Sequence, residues 1–159
     1  MAESKIIHLA SDHAGLELKT NVIRFLTDQF KSYKIIDHGP SDSTSVDYPD
    51  YADKVCVELN TQSNNNSSNT LNRLGILICG SGQGMCLRAN KYLNIRAALI
   101  YNNEIAQLAR EHNNANIICL GARFCSTEQA YNWIKTFITT PFSEGRHALR
   151  VAKINKPTP

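Results

Sequence analysis

The chain repeats one local alternation, a short apolar run of strand type followed by a longer segment with helical spacing. The runs are Lys5–Ala10 (KIIHLA), Lys34–Asp37 (KIID), Gly75–Ile78 (GILI), Arg96–Ile100 (RAALI) and Ile117–Leu120 (IICL). Each is short and apolar, as a buried strand is. After the first run, Ser11-Asp12-His13-Ala14-Gly15 turns into a helix to about Phe30, with Val22, Ile23, Leu26 and Phe30 on one face. Tyr51–Leu59 suits a short helix, and Asn103 to about Asn113 another, with Ile105, Leu108 and Ala109 together. Ser126-Thr127-Glu128-Gln129 has a capping-box pattern that opens a helix to about Thr139, where Pro141 stops it. A last helix is expected from about His147 to Ile154. Strands separated by helices need crossover connections, which make a parallel sheet covered on both faces. The expected fold is therefore an α/β three-layer sandwich with a five-stranded parallel sheet. Its expected order is the flavodoxin-like 2-1-3-4-5, which places a ligand crevice between strands 1 and 3 at their carboxyl ends.

At 159 residues the chain reads as one domain. Residues 61–72 (TQSNNNSSNTLN) are polar and aperiodic, and are expected to be a flexible surface insertion, since a loop lengthens at little cost. Residues 145–159 are expected to supply the C-terminal helix and tail. The net charge of +3 is mild, and the basic residues are spread except for a C-terminal cluster, so no nucleic-acid stripe is expected. No apolar run has the length of a membrane span, and MAESK is not a signal peptide, so a cytoplasmic protein is expected. The five cysteines form no CxxC pair and are odd in number, which argues against a disulfide framework and a structural zinc site. Cys56 and Cys119 lie in apolar runs and read as core residues, while Cys86 and Cys125 carry no motif.

The third run leads into Cys79-Gly80-Ser81-Gly82-Gln83-Gly84 and then into a helical start from Met85. Three glycines in five residues let the backbone turn tightly with its N–H groups uncovered. Such groups at a helix N-terminus attract an anion, and a thiol in that position is drawn toward thiolate. The spacing G-x-G-x-G is neither the dinucleotide fingerprint nor a P-loop, and the glycines could serve packing alone. Asp12-His13 ends the first run, so the expected strand order brings it to Cys79-Gly80-Ser81 at the same crevice. Taken alone, Asp12-His13 also reads as a helix cap followed by an exposed imidazole. His8 and His38 have no partner in sequence and read as structural. Arg146 and Arg150 share a helical face, and Arg123 follows the fifth run; they suit a phosphate, or a solvated basic face. His112 ends the helix after the fourth run, so it should lie at the edge of the sheet opposite Cys79. If it acts chemically, it should do so from a neighbouring subunit.

The stretches ASDHAG (10–15), DYPDYA (47–52), LICGSGQGM (77–85), ANK (89–91), IRAAL (95–99), AREHNNAN (109–116), LGAR (120–123) and GRH…RV…I (145–154) together resemble type B ribose-5-phosphate isomerase. They follow the family's order over nearly the whole chain. The resemblance implies a Rossmann-like fold and conversion of ribose 5-phosphate to ribulose 5-phosphate in the pentose phosphate pathway, with no metal or other cofactor. It implies a homodimer, or a dimer of dimers, whose sites are shared between subunits. By the same resemblance Cys79 is the general base; members without this cysteine use a glutamate at the position of Met85. His112 opens the sugar ring with help from Asp12, and Ser81 assists proton transfer between the oxygens. The amides of Gly80, Gly82, Gln83 and Gly84 hold the enediolate, and Tyr48 and Asn113 contact sugar hydroxyls. His13, Arg123, Arg146 and Arg150 bind the phosphate. Two other readings remain at this point: a hexose 6-phosphate isomerase for allose or galactose, and a non-catalytic phosphate-binding module.

Overall fold

A computed structural model describes residues 4–61 and 72–156. The expected insertion at 61–72 lies almost wholly outside them, as does the end of the tail. The strands are β1 (Lys5–Ser11), β2 (Tyr33–Asp37), β3 (Arg73–Cys79), β4 (Ala97–Ile100) and β5 (Ile117–Gly121). The helices are α1 (Leu16–Gln29), α2 (Tyr48–Thr61), α3 (Gln83–Ala89), α4 (Asn103–Glu111), α5 (Thr127–Thr139) and α6 (Arg146–Ile154). A single 3₁₀ turn, His13–Gly15, precedes α1. The expected elements are all present. The largest boundary difference is α2, which begins at Tyr48 rather than Tyr51. Pro49 falls in its first turn, where the missing N–H has no helical partner to lose.

The five strands form one parallel sheet, so the α/β sandwich stands. Its order is β2-β1-β3-β5-β4, and the expected 2-1-3-4-5 is corrected in its last two places. Burial accounts for the exchange. All five residues of β5 are buried, as an inner strand covered on both faces requires. The four-residue β4 is half-exposed at Ala97, Ala98 and Leu99, which suits an edge. The helices follow from the directions of the connections. The crossovers β1→β2 and β4→β5 run one way across the sheet and β2→β3 and β3→β4 run the other. Crossovers of one hand then put α1 and α4 on one face and α2 and α3 on the opposite face.

Two cores result. On the first face, Leu18, Val22 and Leu26 of α1, Ala106 and Ala109 of α4, and Trp133, Ile134 and Phe137 of α5 cover Ile7, Leu9, Ile76, Ile78, Ile118 and Leu120. On the second, Ala52, Val55, Cys56 and Leu59 of α2 and Met85 and Ala89 of α3 cover Ala10, Leu77, Cys79, Ile117 and Cys119. Alternate residues of β3 thus serve opposite cores, and Cys79 faces the α2 and α3 layer. Full burial of each large apolar side chain stabilises the fold by about 1.5–3 kcal/mol. By contrast, α6 buries Val151 but leaves Leu149 and Ile154 largely exposed.

Candidate active site

The carboxyl ends of β1 and β3 lie side by side, as the register Ser11↔Ile78 requires. The backbone N–H of Asp12 donates to the carbonyl of Ile78 at 3.0 Å. Its carboxylate accepts from the N–H of Gly15 at 3.0 Å and so caps the 3₁₀ turn. Gly15 is required there, because a Cβ would stand 2.6 Å from the Ile78 carbonyl oxygen. His13 is exposed, and its Nδ1 accepts from the N–H of Val46 at 3.3 Å.

Cys79 ends β3 with its side chain almost fully buried, and its Sγ accepts from the N–H of Gly82 at 3.1 Å. That contact depends on the left-handed backbone of Gly82, φ +77°. Ser81 is exposed at the tip of the turn, and its Oγ accepts from the N–H of Gln83 at 3.4 Å. The turn is fastened to the end of β5, where the N–H of Ala122 donates to Cys79 O at 2.9 Å and that of Arg123 to Gly80 O at 3.1 Å. The Arg123 guanidinium lies over Gly80, within 3.1 Å of where a Cβ would be. On the other side, the Tyr48 ring lies so close to Gly84 that a Cβ would meet its Cζ at 2.5 Å. The fold therefore gathers Asp12, His13, Tyr48, Cys79, Ser81, the Gly80, Gly82, Gln83 and Gly84 backbone, and Arg123 at one edge of the sheet.

The remaining expected site residues gather elsewhere. His112 caps the C-terminus of α4, its N–H donating to Leu108 O at 2.9 Å, and exposed Asn113 follows. The His112 ring stacks on His147 of α6, centroids 4.2 Å apart and planes 8° from parallel. Arg146 and Arg150 are exposed on the same helix. Burial, with the charges of His112, Arg146 and Arg150, holds the His147 imidazole below its ordinary range. This group lies just before β5, whereas Cys79 pairs with Gly121, four residues further along the strand. At about 3.3 Å per residue the two groups are at least ~13 Å apart along the sheet. One chain thus carries the expected site residues in two groups at opposite edges of the sheet.

Two further contacts beside these groups depend on the tertiary fold. His147 is adjacent to Arg146, and only the turn of the chain at 140–145 shows that it meets His112. Lys19 sits in the amphipathic helix α1 yet is 1% exposed. Its Nζ donates to Asp37 Oδ1 at 2.6 Å and Pro40 O at 2.8 Å, which fixes the turn after β2 beside the end of β1. Among the described residues no cluster of three or more His, Cys, Asp or Glu could hold a metal ion, and no helix is long and apolar enough to cross a membrane.

A family described as Ribose/Galactose Isomerase matches residues 7–154. A probable ribose-5-phosphate isomerase B of Mycoplasma pneumoniae is 44% identical over 149 residues, 93% of this chain and 91% of that protein. Among solved structures, a ribose 5-phosphate isomerase of Thermotoga maritima superimposes with a TM-score of 0.85 at 44% identity, covering 95% of this chain and 97% of the other. A ribose-5-phosphate isomerase B of Mycoplasma genitalium with bound ribulose-5-phosphate superimposes with a TM-score of 0.84 at 37% identity, covering 97% and 96%.

Proposed function

The chain belongs to the ribose/galactose isomerase family, and from that premise we propose that it interconverts ribose 5-phosphate and ribulose 5-phosphate in the cytoplasm, as a step of the pentose phosphate pathway. Sugar-phosphate isomerisation is the activity of its relatives. The observation that carries the finer reading is the Cys79 sulfur, held by the Gly82 N–H within a glycine turn that Tyr48 and Arg123 flank.

In this reading the Cys79 thiolate takes the proton from C2 of the open-chain aldose. The electrons of that C–H bond move into a C1–C2 double bond, and the carbonyl oxygen becomes an enediolate oxygen. The same thiol returns a proton to C1, while Ser81 helps move a proton between O1 and O2, and the ketose results. A C–H beside a carbonyl is weakly acidic, so the base needs the enediolate to be stabilised as it forms. The N–H groups of the Gly80–Gly84 turn other than those that Cys79 Sγ and Ser81 Oγ accept do this, because the backbone already holds them. The phosphate is remote from C1 and C2, and its capture by His13 and the arginines orients the sugar. Asp12 and His112 open the ring, and Tyr48 and Asn113 hold hydroxyls.

His112, Asn113, Arg146 and Arg150 can serve such a site only from a second subunit, so the reading requires at least a homodimer. The separation of the two groups along the sheet supports this. An active monomer in sedimentation contradicts it. Mixing Cys79→Ala and His112→Ala chains should restore turnover in heterodimers, each of which contains one intact composite site.

The direct test is a coupled assay on ribose 5-phosphate with the wild type and Cys79→Ala. Removing a general base is expected to cost roughly 10²–10⁴-fold in turnover. Near-normal turnover in a folded Cys79→Ala removes the thiol as the base. The family description also covers galactose, so allose and galactose 6-phosphates are the competing substrates. Faster turnover on either would transfer the assignment to a six-carbon sugar, and phosphate binding with no turnover on any of them would favour a binding module.

A further inference from the structure

His112 and Asn113 sit in the turn between α4 and β5, and Arg146, His147 and Arg150 sit on α6, whose only buried residue is Val151. Apolar burial alone is a thin hold for such a helix. Arg96, immediately before β4, meets both elements with a buried side chain. Its Nε donates to Asn113 O at 3.1 Å and to Asn114 O at 3.0 Å, and its Nη2 donates to Asn114 O at 2.9 Å. Its Nη1 donates at 3.1 Å to Oδ1 of Asn155, the residue that caps α6. The Arg96 backbone is itself fixed beside β5, its N–H donating to Asn116 Oδ1 at 2.8 Å and its carbonyl accepting from the Asn116 N–H at 3.1 Å.

We propose that Arg96 is the positioning residue of this group: one guanidinium sets the His112–Asn113 turn against α6, and so fixes the geometry in which the group reaches a partner subunit. Its effect on turnover rests on the isomerase reading above; its effect on the His112 ring does not. The turn needs such a hold. Asn114 is left-handed, at φ +45°, and the N–H groups of Asn114 and Ala115 fold back onto Arg110 O at 3.1 Å and Ala109 O at 2.9 Å. Carbonyls at a helix end need donors from outside the helix, and Arg96 supplies them to both Asn113 and Asn114. Every oxygen that its side chain meets is neutral, so no ion pair is formed there. The guanidinium instead contributes a rigid fork of N–H groups, and a cation at the C-terminal end of the α4 dipole. At the other end of α6, the N–H of Ser143 donates to Glu111 O at 3.0 Å, so the helix is tied to the end of α4 before it starts and to Arg96 where it stops.

The test uses Arg96→Lys in the full chain, which keeps the charge and gives up the fork. Isomerisation should fall about 10–100-fold, the scale of a displacement of about 1 Å. The defect should travel with His112 and not with Cys79. In mixed dimers, Arg96→Lys chains should restore turnover to Cys79→Ala chains, because one site then takes Cys79 from the first chain and His112 from the second. They should restore none to His112→Ala chains. A general loss of folding stability would give the same result with both partners. The second readout is the NMR resonance of the His112 Cε1–H, assigned by its loss in His112→Ala and shielded by the His147 ring 4.2 Å away. In Arg96→Lys it should move toward the position of a free imidazole. A wild type without turnover on any sugar phosphate removes the isomerase assignment and leaves this resonance to decide. Should Arg96→Lys not fold, Asn155→Ala cuts Arg96 from α6 alone and should move the same resonance. The proposal is overturned if Arg96→Lys turns over at the wild-type rate, if it complements His112→Ala as well as Cys79→Ala, or if the resonance stays in place in the folded variant.

Discussion

Acidification should destabilise this protein through one buried imidazole, and the size of the effect follows from what surrounds it. His8 lies in β1, is 2% exposed and has its Nδ1 2.9 Å from Nε2 of His38, with the rings stacked at a 24° interplanar angle. One of these nitrogens must donate and the other accept, so the pair cannot carry a proton on both. The other nitrogen of His8, Nε2, is buried with no hydrogen-bond partner to share a charge. The charges facing His8 are those of Arg73 and Lys34, both positive. Burial first, then His38, Arg73 and Lys34, lower the His8 pKa from 6.5 to about 4. Burial also lowers His38, against the opposing pull of Glu58 and Asp37.

The sign is that of a base that resists protonation when folded. Above pH 6.5 both states are neutral at this position. Between 6.5 and about 4 the unfolded chain takes up a proton that the native chain refuses, so stability falls as the pH falls. The total loss is about 3 kcal/mol once the pH is below both values, with about 2.5 kcal/mol gone by pH 4.5. Urea midpoints at fixed protein concentration measure it. With a slope of about 1–3 kcal/mol per molar urea, the midpoint should drop by about 1–2 M between pH 7 and pH 4.5. His8→Phe should remove most of that drop. Asp53, held below the usual carboxylate range by Arg88, loses its contribution only below about pH 4. A midpoint that is flat between pH 7 and 4.5, or a drop as large in His8→Phe as in the wild type, would refute the reasoning.

Three other substitutions have expected outcomes. Gly82→Ala places a Cβ 2.7 Å from Leu99 Cδ1 and 2.9 Å from the Leu120 carbonyl carbon, at φ +77°. Strain and overlap together should cost about 2–5 kcal/mol and move the N–H off the Cys79 sulfur, lowering turnover as well; a variant within 0.5 kcal/mol by urea denaturation, a margin well below the ~1 kcal/mol of typical point changes, contradicts this. Lys19→Met strips the buried Pro40 carbonyl of its donor, but Asp37 is 42% exposed and regains water. The expected loss is therefore about 1–3 kcal/mol rather than the ~3–5 kcal/mol of a fully buried pair, measured by the same unfolding curves. Ser126→Ala removes the oxygen that accepts from the Gln129 N–H at 3.2 Å and should cost about 1 kcal/mol in a thermal melt, with turnover unchanged.

Local chemistry made much of this legible before any coordinates. The alternation of apolar runs and helical spacing, the Ser126–Gln129 cap and the Gly80–Gly84 turn each depend on residues within one or two turns of one another. A helix that follows a parallel strand must run back toward the amino edge, and so His112 could be placed opposite Cys79 from the chain order alone. The start of α2 was less legible, because Tyr48 and Pro49 sit in a stretch rich in Ser, Asp and Pro that reads as loop.

What the sequence by itself determined is the set of elements, their parallel pairing and the meeting of Asp12 with Cys79 at the ends of β1 and β3. Only the tertiary structure decided that β5 lies inside β4, because two apolar strands compete for one inner position and the more deeply buried one takes it. Only it brought His8 onto His38 and His147 onto His112. Each of these contacts joins residues at least thirty positions apart, whose side chains show no shared period. Their proximity is set by how two layers of helices close over a sheet, and that depends on the summed burial of the whole core rather than on any segment of the chain.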